Sequence, residues 1–363
     1  MDITKFDYIL PESAIAQEPL PRRDEAKLLI LERQSGTLRS GVFRDLPDLL
    51  SANDLLILND TRVIPARLRL KKTSGGKVEI FVLQETGPGR AEALVRGRVK
   101  EGLQLTLPPS PLPPLADSTA REPVPSGERN KGEGDEITIN IKQKLSSGKY
   151  LVSFKGLPLK EILNRFGEIP LPPYIKRPVR PEDQNYYQTV YGRREGSVAA
   201  PTAGLHFTPD LMNQMEKKGI PLIYLTLHVG WGTFRTIQSA DITRHQMEPE
   251  FFEISPETAK IINEGRMKGR RVAAVGTTSV RTLEGNFRNK GLIAGSGWVN
   301  TFIYPGYQFQ LVDVLITNFH LPQTTTLLLT AAFAGTELLR KAYDFALKNG
   351  FRFGSYGDSM LIF

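Results

Sequence analysis

The chain has 363 residues, 40% of them hydrophobic and 24% charged, with no cysteine, four histidines and a formal net charge of +8. This length accommodates two domains whose cores need no covalent staples, and the missing cysteine excludes a disulfide framework, a thiolate metal site and a thiol nucleophile. The sequence pI near 9.5 favours an anionic partner.

The segment Met1–Asp7 lacks the basic-then-apolar order of a signal peptide. No apolar run reaches the roughly 20 residues of a membrane span, so the expected location is cytoplasmic. Residues 26–31 and 55–58 are apolar runs that predict buried strands. From Arg62 the texture changes to short alternating segments: 67–70, 78–83, 91–99, 103–107, 136–141 and 150–154. Gly75-Gly76, Gly87-Pro88-Gly89 and Ser146-Ser147-Gly148 punctuate them. Strands without intervening helices predict a small antiparallel β-barrel. Residues 108–136 hold seven of the 26 prolines and few large apolar side chains. They are read as a long, flexible Pro-rich loop within it.

From residue 158 onward helices and strands alternate. Residues 158–166 read as a helix. Thr208-Pro209-Asp210 and Ser255-Pro256-Glu257 are helix starts, with a hydroxyl N-cap, proline in the first turn and an acid at the positive end of the dipole. Residues 220–229, 271–275 and 312–316 read as strands buried on both faces. Residues 279–287 and 325–347 read as helices, the latter broken at Gly335. The expected fold is α/β: a large barrel-like catalytic domain, 1–61 and 158–363, with an inserted small antiparallel β-barrel at 62–157.

In α/β folds ligands bind at the C-terminal ends of strands. Four predicted strands end in polar groups: Asn59-Asp60-Thr61-Arg62, then His228-Val229-Gly230-Trp231-Gly232-Thr233-Phe234-Arg235, then Gly276-Thr277-Thr278-Ser279-Val280-Arg281, and Thr317-Asn318-Phe319-His320. Each also fits a structural role, as an Asx turn, a hairpin or a helix cap. Taken together they point to an enzyme site for a polar ligand. No P-loop, GxGxxG or GxSxG pattern is present. The histidines His206, His228, His245 and His320 lack metal-ligand spacing, so no metal is expected. Ten basic and three acidic residues fall within Arg62–Lys100, a local excess of +7. That matches the footprint of a nucleic-acid contact and also fits a solvated strand face.

Several blocks carry a specific likeness: residues 58–67 (LNDTRVIPAR), 187–191 (YQTVY), 196–207, 227–235, 245–248 (HQME), 276–284, 317–322 and 355–358 (SYGD). In this order they resemble the S-adenosylmethionine:tRNA ribosyltransferase-isomerases of queuosine biosynthesis, from Phe6-Asp7-Tyr8 to residues 354–362, with 108–136 as an insertion. The resemblance implies a barrel-like α/β domain carrying a small β-barrel. It implies transfer and isomerisation of the ribosyl part of S-adenosylmethionine onto the aminomethyl group of a 7-deazaguanine at the tRNA wobble position. Adenine and methionine leave, and epoxyqueuosine-tRNA remains. S-adenosylmethionine is then a substrate, and no cofactor is implied. Two other classes fit part of the pattern. A non-catalytic RNA-binding protein explains the +7 segment but not the polar strand ends. A methyltransferase using the same small molecule lacks its glycine-rich first loop.

The implied chemistry needs a base at the carbon beside the sulfonium, a proton for departing adenine, and partners for the methionine carboxylate. By residue type, His206 and His228 are the expected acid or base, with Asp60 and His320 in reserve. Arg62, Arg67 and Arg281 are expected to bind anions. Thr277, Thr278 and Ser279 are expected to line the S-adenosylmethionine site. Thr202, Gly230, Thr233, Arg235, Glu284, Asn318 and Asp358 complete the expected substrate-binding set.

Overall fold

The computed structural model describes residues 1–107, 137–145 and 148–363. The expected loop at 108–136 lies outside the described residues. The chain forms two compact units, Met1–Val63 with Leu171–Phe363, and Ile64–Pro170. The compact units thus divide at 63/64 and 170/171. The physical reason is local: after the helix Leu159–Phe166, Glu168 and Arg67 exchange backbone hydrogen bonds of 2.8 and 3.2 Å. That bridge ties the helix and its exit to the smaller unit.

In chain order, β1 (Lys27–Glu32) and β2 (Thr37–Val42) form a hairpin, followed by β3 (Asp54–Asn59) and the short β4 (Thr61–Val63). The smaller unit contributes β5 (Arg67–Lys71), β6 (Lys77–Gly87), β7 (Arg90–Arg96), β8 (Gln104–Thr106), β9 (Thr138–Lys144) and β10 (Lys149–Lys155). The larger unit resumes with β11 (Arg194–Ser197), β12 (Leu222–Leu227), β13 (Glu250–Ile254), β14 (Arg271–Val275), β15 (Phe287–Arg288), β16 (Gly291–Leu292), β17 (Gly295–Val299), β18 (Val314–Asn318) and β19 (Ser359–Ile362).

The smaller unit is one antiparallel sheet in the order β5-β6-β7-β10-β9-β8, with its two edge strands side by side, so the barrel is nearly closed. Alternation explains its core: Leu68, Leu70, Val78, Ile80, Ala93 and Ile139 are buried, while Arg69, Lys71 and Lys77 are exposed. On the outer face Arg69 faces Glu79, and Glu79 faces Arg96, across neighbouring strands.

The larger unit is built on a nine-stranded mixed sheet, β17-β13-β12-β3-β14-β18-β19-β1-β2. Its central strands are apolar throughout because both faces are covered. Leu55, Ile57, Leu225, Val272, Ala274 and Leu315 join one core, against the helices Pro256–Met267, Thr277–Gly285 and Thr325–Ala334. Leu56, Leu58, Ala273, Val275, Val314 and Ile316 join the other, against the helix Pro209–Lys217 and Phe43. Each fully buried Leu or Ile side chain contributes roughly 1.5–3 kcal/mol. The helix starts are as the sequence predicts: Thr208 Oγ1 accepts from Leu211 N at 3.2 Å and Ser255 Oγ from Thr258 N at 3.0 Å. Among the described residues no helix is long and apolar enough to cross a membrane.

The strands β12, β3, β14 and β18 run mutually parallel. The chain leaving β3 returns through the helix on one face, while the chain leaving β14 enters the helix Thr277–Gly285 on the other. The gap between the C-terminal ends of β3 and β14 is therefore a topological switch point.

Candidate active site

Four polar strand ends, scattered in sequence, become neighbours along one sheet edge. Asn59 joins three of them. Its Nδ2 donates to the Leu227 carbonyl at 3.0 Å and to Thr278 Oγ1 at 3.3 Å. Its Oδ1 accepts from Leu227 N at 3.0 Å. Gly276, with φ +87°, turns the chain from β14 directly into the helix Thr277–Gly285. Glycine offers no side-chain cap, so the first helical amides stay open at the strand ends.

Beside this edge lies a cleft that is partly open to solvent. Its polar lining is almost entirely hydroxyl: Thr202, Thr233, Thr236, Thr277, Thr278, Thr317, Thr324, Thr326, Ser355 and Tyr174. Ala200, Pro201, Ala203, Val229, Phe319 and Leu321 supply apolar wall. Asn318 and His320 complete the polar set, and no Asp, Glu, Lys or Arg lines the cleft among the described residues.

His320 is the histidine of this cleft. Its Nε2 pairs with Thr317 Oγ1 at 2.8 Å. Its backbone is clamped on both sides: the Tyr8 hydroxyl donates to its carbonyl at 2.5 Å, and its N–H donates to the Tyr343 hydroxyl at 2.9 Å. Burial pushes the imidazole down to about 3, so the ring is neutral at physiological pH. Tyr174, hydrogen-bonded to Ser355 at 2.6 Å, is pushed up to about 12 by burial and stays a phenol.

A second compartment adjoins the cleft and shares Thr233 and Thr236 with it. It is lined by Gly230, Arg235, Gln238, Arg244, His245, Glu248 and Glu250, among others. Here charge appears, in contrast to the hydroxyl cleft.

Of the expected catalytic side chains, His206, His228 and Asp60 do not line the cleft. His206 is buried against Phe43, and its Nε2 meets Asn318 Nδ2 at 3.2 Å. Burial and the nearby Arg352 charge push it down to about 3. His228 is held by Thr61 Oγ1 at 2.8 Å and stacks on Phe251. Gly196 approaches it so closely that a Cβ there would lie 2.6 Å from Nε2. Burial depresses the His228 imidazole, and the Asp60 charge partly offsets this. Asp60 accepts from Arg193 Nε at 2.7 Å and Thr226 Oγ1 at 2.6 Å.

Several expected binding residues face inward. Ser279 Oγ donates to the Val275 carbonyl at 2.7 Å, inside its own helix start. Arg281 is buried, paired with Glu250, and donates to the Thr301 carbonyl at 3.1 Å. Glu284 accepts from the backbone of Gln310, Leu311 and Val312 at 2.9–3.0 Å. Asp358 accepts from Lys27 N and Arg352 N at 3.0 and 2.7 Å, and burial raises its carboxyl. Arg62 is exposed and reaches the Gly192 carbonyl at 3.4 Å. Arg67 stands on β5 of the smaller unit, 4.0 Å from Glu79. Ser279, Arg281, Glu284 and Asp358 are buried, and buried polar groups need such protein partners. Thr202, Thr233, Thr277, Thr278 and Asn318 line the cleft, while Gly230 and Arg235 line the compartment beside it.

Sequence reasoning missed Tyr174, Thr236, Thr324, Thr326, Ser355 and Arg244. The hydroxyl run 324–326 was a usable signal for part of this wall. Tyr174 had none, because only the fold brings it to Ser355.

A model of the queuosine biosynthesis protein family matches residues 3–362. The S-adenosylmethionine:tRNA ribosyltransferase-isomerase of Pelobacter propionicus is 45% identical over 366 residues, covering 100% of both chains. That of Halothermothrix orenii is 43% identical over 367 residues, again covering 100% of both. The solved structure of the S-adenosylmethionine tRNA ribosyltransferase of Thermotoga maritima is 32% identical, with a TM-score of 0.54, over 99% of this chain and 100% of that one. The chain belongs to the queuosine biosynthesis family of S-adenosylmethionine:tRNA ribosyltransferase-isomerases.

Proposed function

We propose that the hydroxyl-lined cleft holds the adenosine part of S-adenosylmethionine and that His320 moves the proton of the reaction. The observation that carries this reading is the position of His320, the one histidine among the side chains lining the cleft. The sulfonium acidifies the adjoining ribose carbon, and a neutral imidazole is the group available to take that proton. In the tautomer that donates its Nε2–H to Thr317 Oγ1, Nδ1 is the accepting atom. Burial disfavours the imidazolium that results. Delivery of that proton to departing adenine returns the ring to neutral imidazole. The hydroxyls fit ribose and adenine edges without charge, and the apolar wall fits the faces of the base.

The ribosyl acceptor in this reading is the aminomethyl group of a 7-deazaguanine at the wobble position of tRNA. The exposed Arg69, Lys71, Lys77 and Arg96 on the outer face of the smaller unit are suited to RNA phosphates. The test is incubation with precursor-containing tRNA and S-adenosylmethionine, followed by product analysis. Free adenine and methionine are expected. S-adenosylhomocysteine would indicate methyl transfer, and absence of any small product would indicate binding alone; either overturns the reading.

A further inference from the structure

S-adenosylmethionine carries three formal charges: sulfonium, ammonium and carboxylate. The cleft assigned above to its adenosine part has no charged side chain among its described lining residues. An amino-acid zwitterion placed there would lose hydration without gaining ionic partners. The adjoining compartment supplies them: Arg235 and Arg244 as cations, Glu248 and Glu250 as anions. Their availability differs. Glu250 pairs with the buried Arg281, and its Oε1 accepts from Gly230 N at 2.7 Å and Thr233 Oγ1 at 3.2 Å. Arg235 and Glu248 lie 3.8 Å apart, both substantially solvent-exposed. Both charges of this ion pair lie at the solvent-facing side of the compartment, where an exposed pair contributes little to stability and its charges are within reach of a ligand. Arg244 is exposed on the short turn Ile242–Arg244. His245 adds no competing cation, since burial and the Arg235 charge both favour its neutral form. Thr233 and Thr236 line both compartments, which places the charged groups next to the cleft.

We propose that this compartment is the amino-acid subsite, with Arg235 and Arg244 receiving the carboxylate and Glu248 the ammonium of S-adenosylmethionine. The assignment rests on the reading of the cleft as the adenosine site. It gives a role to the block His245-Gln246-Met247-Glu248, which the proton chemistry does not use. It also makes the compartment a specificity device, selecting adenosyl sulfonium compounds that carry an amino acid over those that do not.

The test compares two ligands that differ in that group. With precursor tRNA present, the KM for S-adenosylmethionine and the inhibition constant of 5′-methylthioadenosine, which has no amino-acid end, are measured for the wild type, Arg235→Ala, Arg244→Ala and Glu248→Gln. Each replacement is expected to raise the KM about tenfold or more and to leave the inhibition constant within about twofold. Arg235→Lys, retaining charge without the fork, is expected to fall between wild type and Arg235→Ala. Equal loss for both ligands, or no loss for S-adenosylmethionine, overturns the subsite while leaving the cleft reading intact. A wild type that 5′-methylthioadenosine does not inhibit overturns the cleft reading and the subsite together. Thermal unfolding midpoints matching the wild type exclude a folding defect in these exposed positions.

Discussion

Arg281 closes its guanidinium onto Glu250 inside the larger unit, and the other oxygen of the same carboxylate holds the turn at Gly230 and Thr233. An arginine that reads as an anion binder thus has a buried carboxylate of the protein as its partner. Removing it leaves a buried carboxylate unpaired. Arg281→Met is expected to destabilise the protein by about 3–5 kcal/mol, measured by urea unfolding. Arg281→Met combined with Glu250→Gln should recover part of that loss, because the stranded charge is gone. A ligand-binding role would instead give a stable protein with weakened substrate affinity.

His320→Asn keeps a polar side chain near Thr317 and removes the proton-accepting nitrogen. Adenine release is expected to fall by about 10²–10⁴-fold, with the KM for S-adenosylmethionine little changed. Rapid-quench assays that separate chemistry from binding provide the measurement. Activity within a fewfold of wild type would remove His320 from the proton path.

Both His206 and His320 are held near 3 by burial, below the usual imidazole value near 6.5. The unfolded chain therefore binds more protons than the folded one between these limits. Their stabilising contribution is complete above about pH 6.5 and is lost as pH falls toward 3. The slope is up to about 1.4 kcal/mol per pH unit for each histidine. Urea unfolding at pH 7 and pH 5 should register the drop. His206→Gln, which retains a hydrogen-bonding group, should remove the share of the drop that belongs to His206.

Asn59→Ala removes bonds to both backbone groups of Leu227 and to Thr278. The stranded amide and carbonyl are buried, so a loss of about 2–4 kcal/mol is expected. Asn59→Asp should not restore stability, since a carboxylate cannot donate to the Leu227 carbonyl. Calorimetric unfolding distinguishes these outcomes.

Charge reversal at Lys71 and Lys77 should weaken tRNA binding and reduce its salt slope by about one unit for each phosphate that is no longer neutralised. Stability should change by no more than about 1 kcal/mol, because both side chains are exposed. Filter binding across a salt series checks this, and an unchanged slope would return these lysines to a solvating role.

Much of the architecture follows from the sequence alone. The apolar runs at β1, β3, β12, β14 and β18, the capped helices and the glycine break at Gly335 all obey local periodicity and backbone sterics. The pairing of β17 and β19 does not. β17 reads Gly-Ser-Gly-Trp-Val and gains its place only by pairing with β13, and β19 is a four-residue strand, Ser-Met-Leu-Ile, inserted between β1 and β18. Such strands lack propensity of their own and are fixed by neighbours.

The sequence also determined which strand ends are polar, because a buried strand followed by Asn, His, Thr or a glycine turn is a local pattern. Only the tertiary structure decided which of those groups line a cleft. His206, Asp60, Arg281, Glu284 and Asp358 have the chemistry of site residues, yet each is claimed by a buried polar neighbour, by backbone or by an opposite charge, since folding penalises any such group left unpaired. His320, Thr324 and Ser355 share no local pattern with one another. They come together because β18, the turn after it and the chain before β19 converge on one edge of a sheet, and that convergence is set by long-range strand order, which no local window contains.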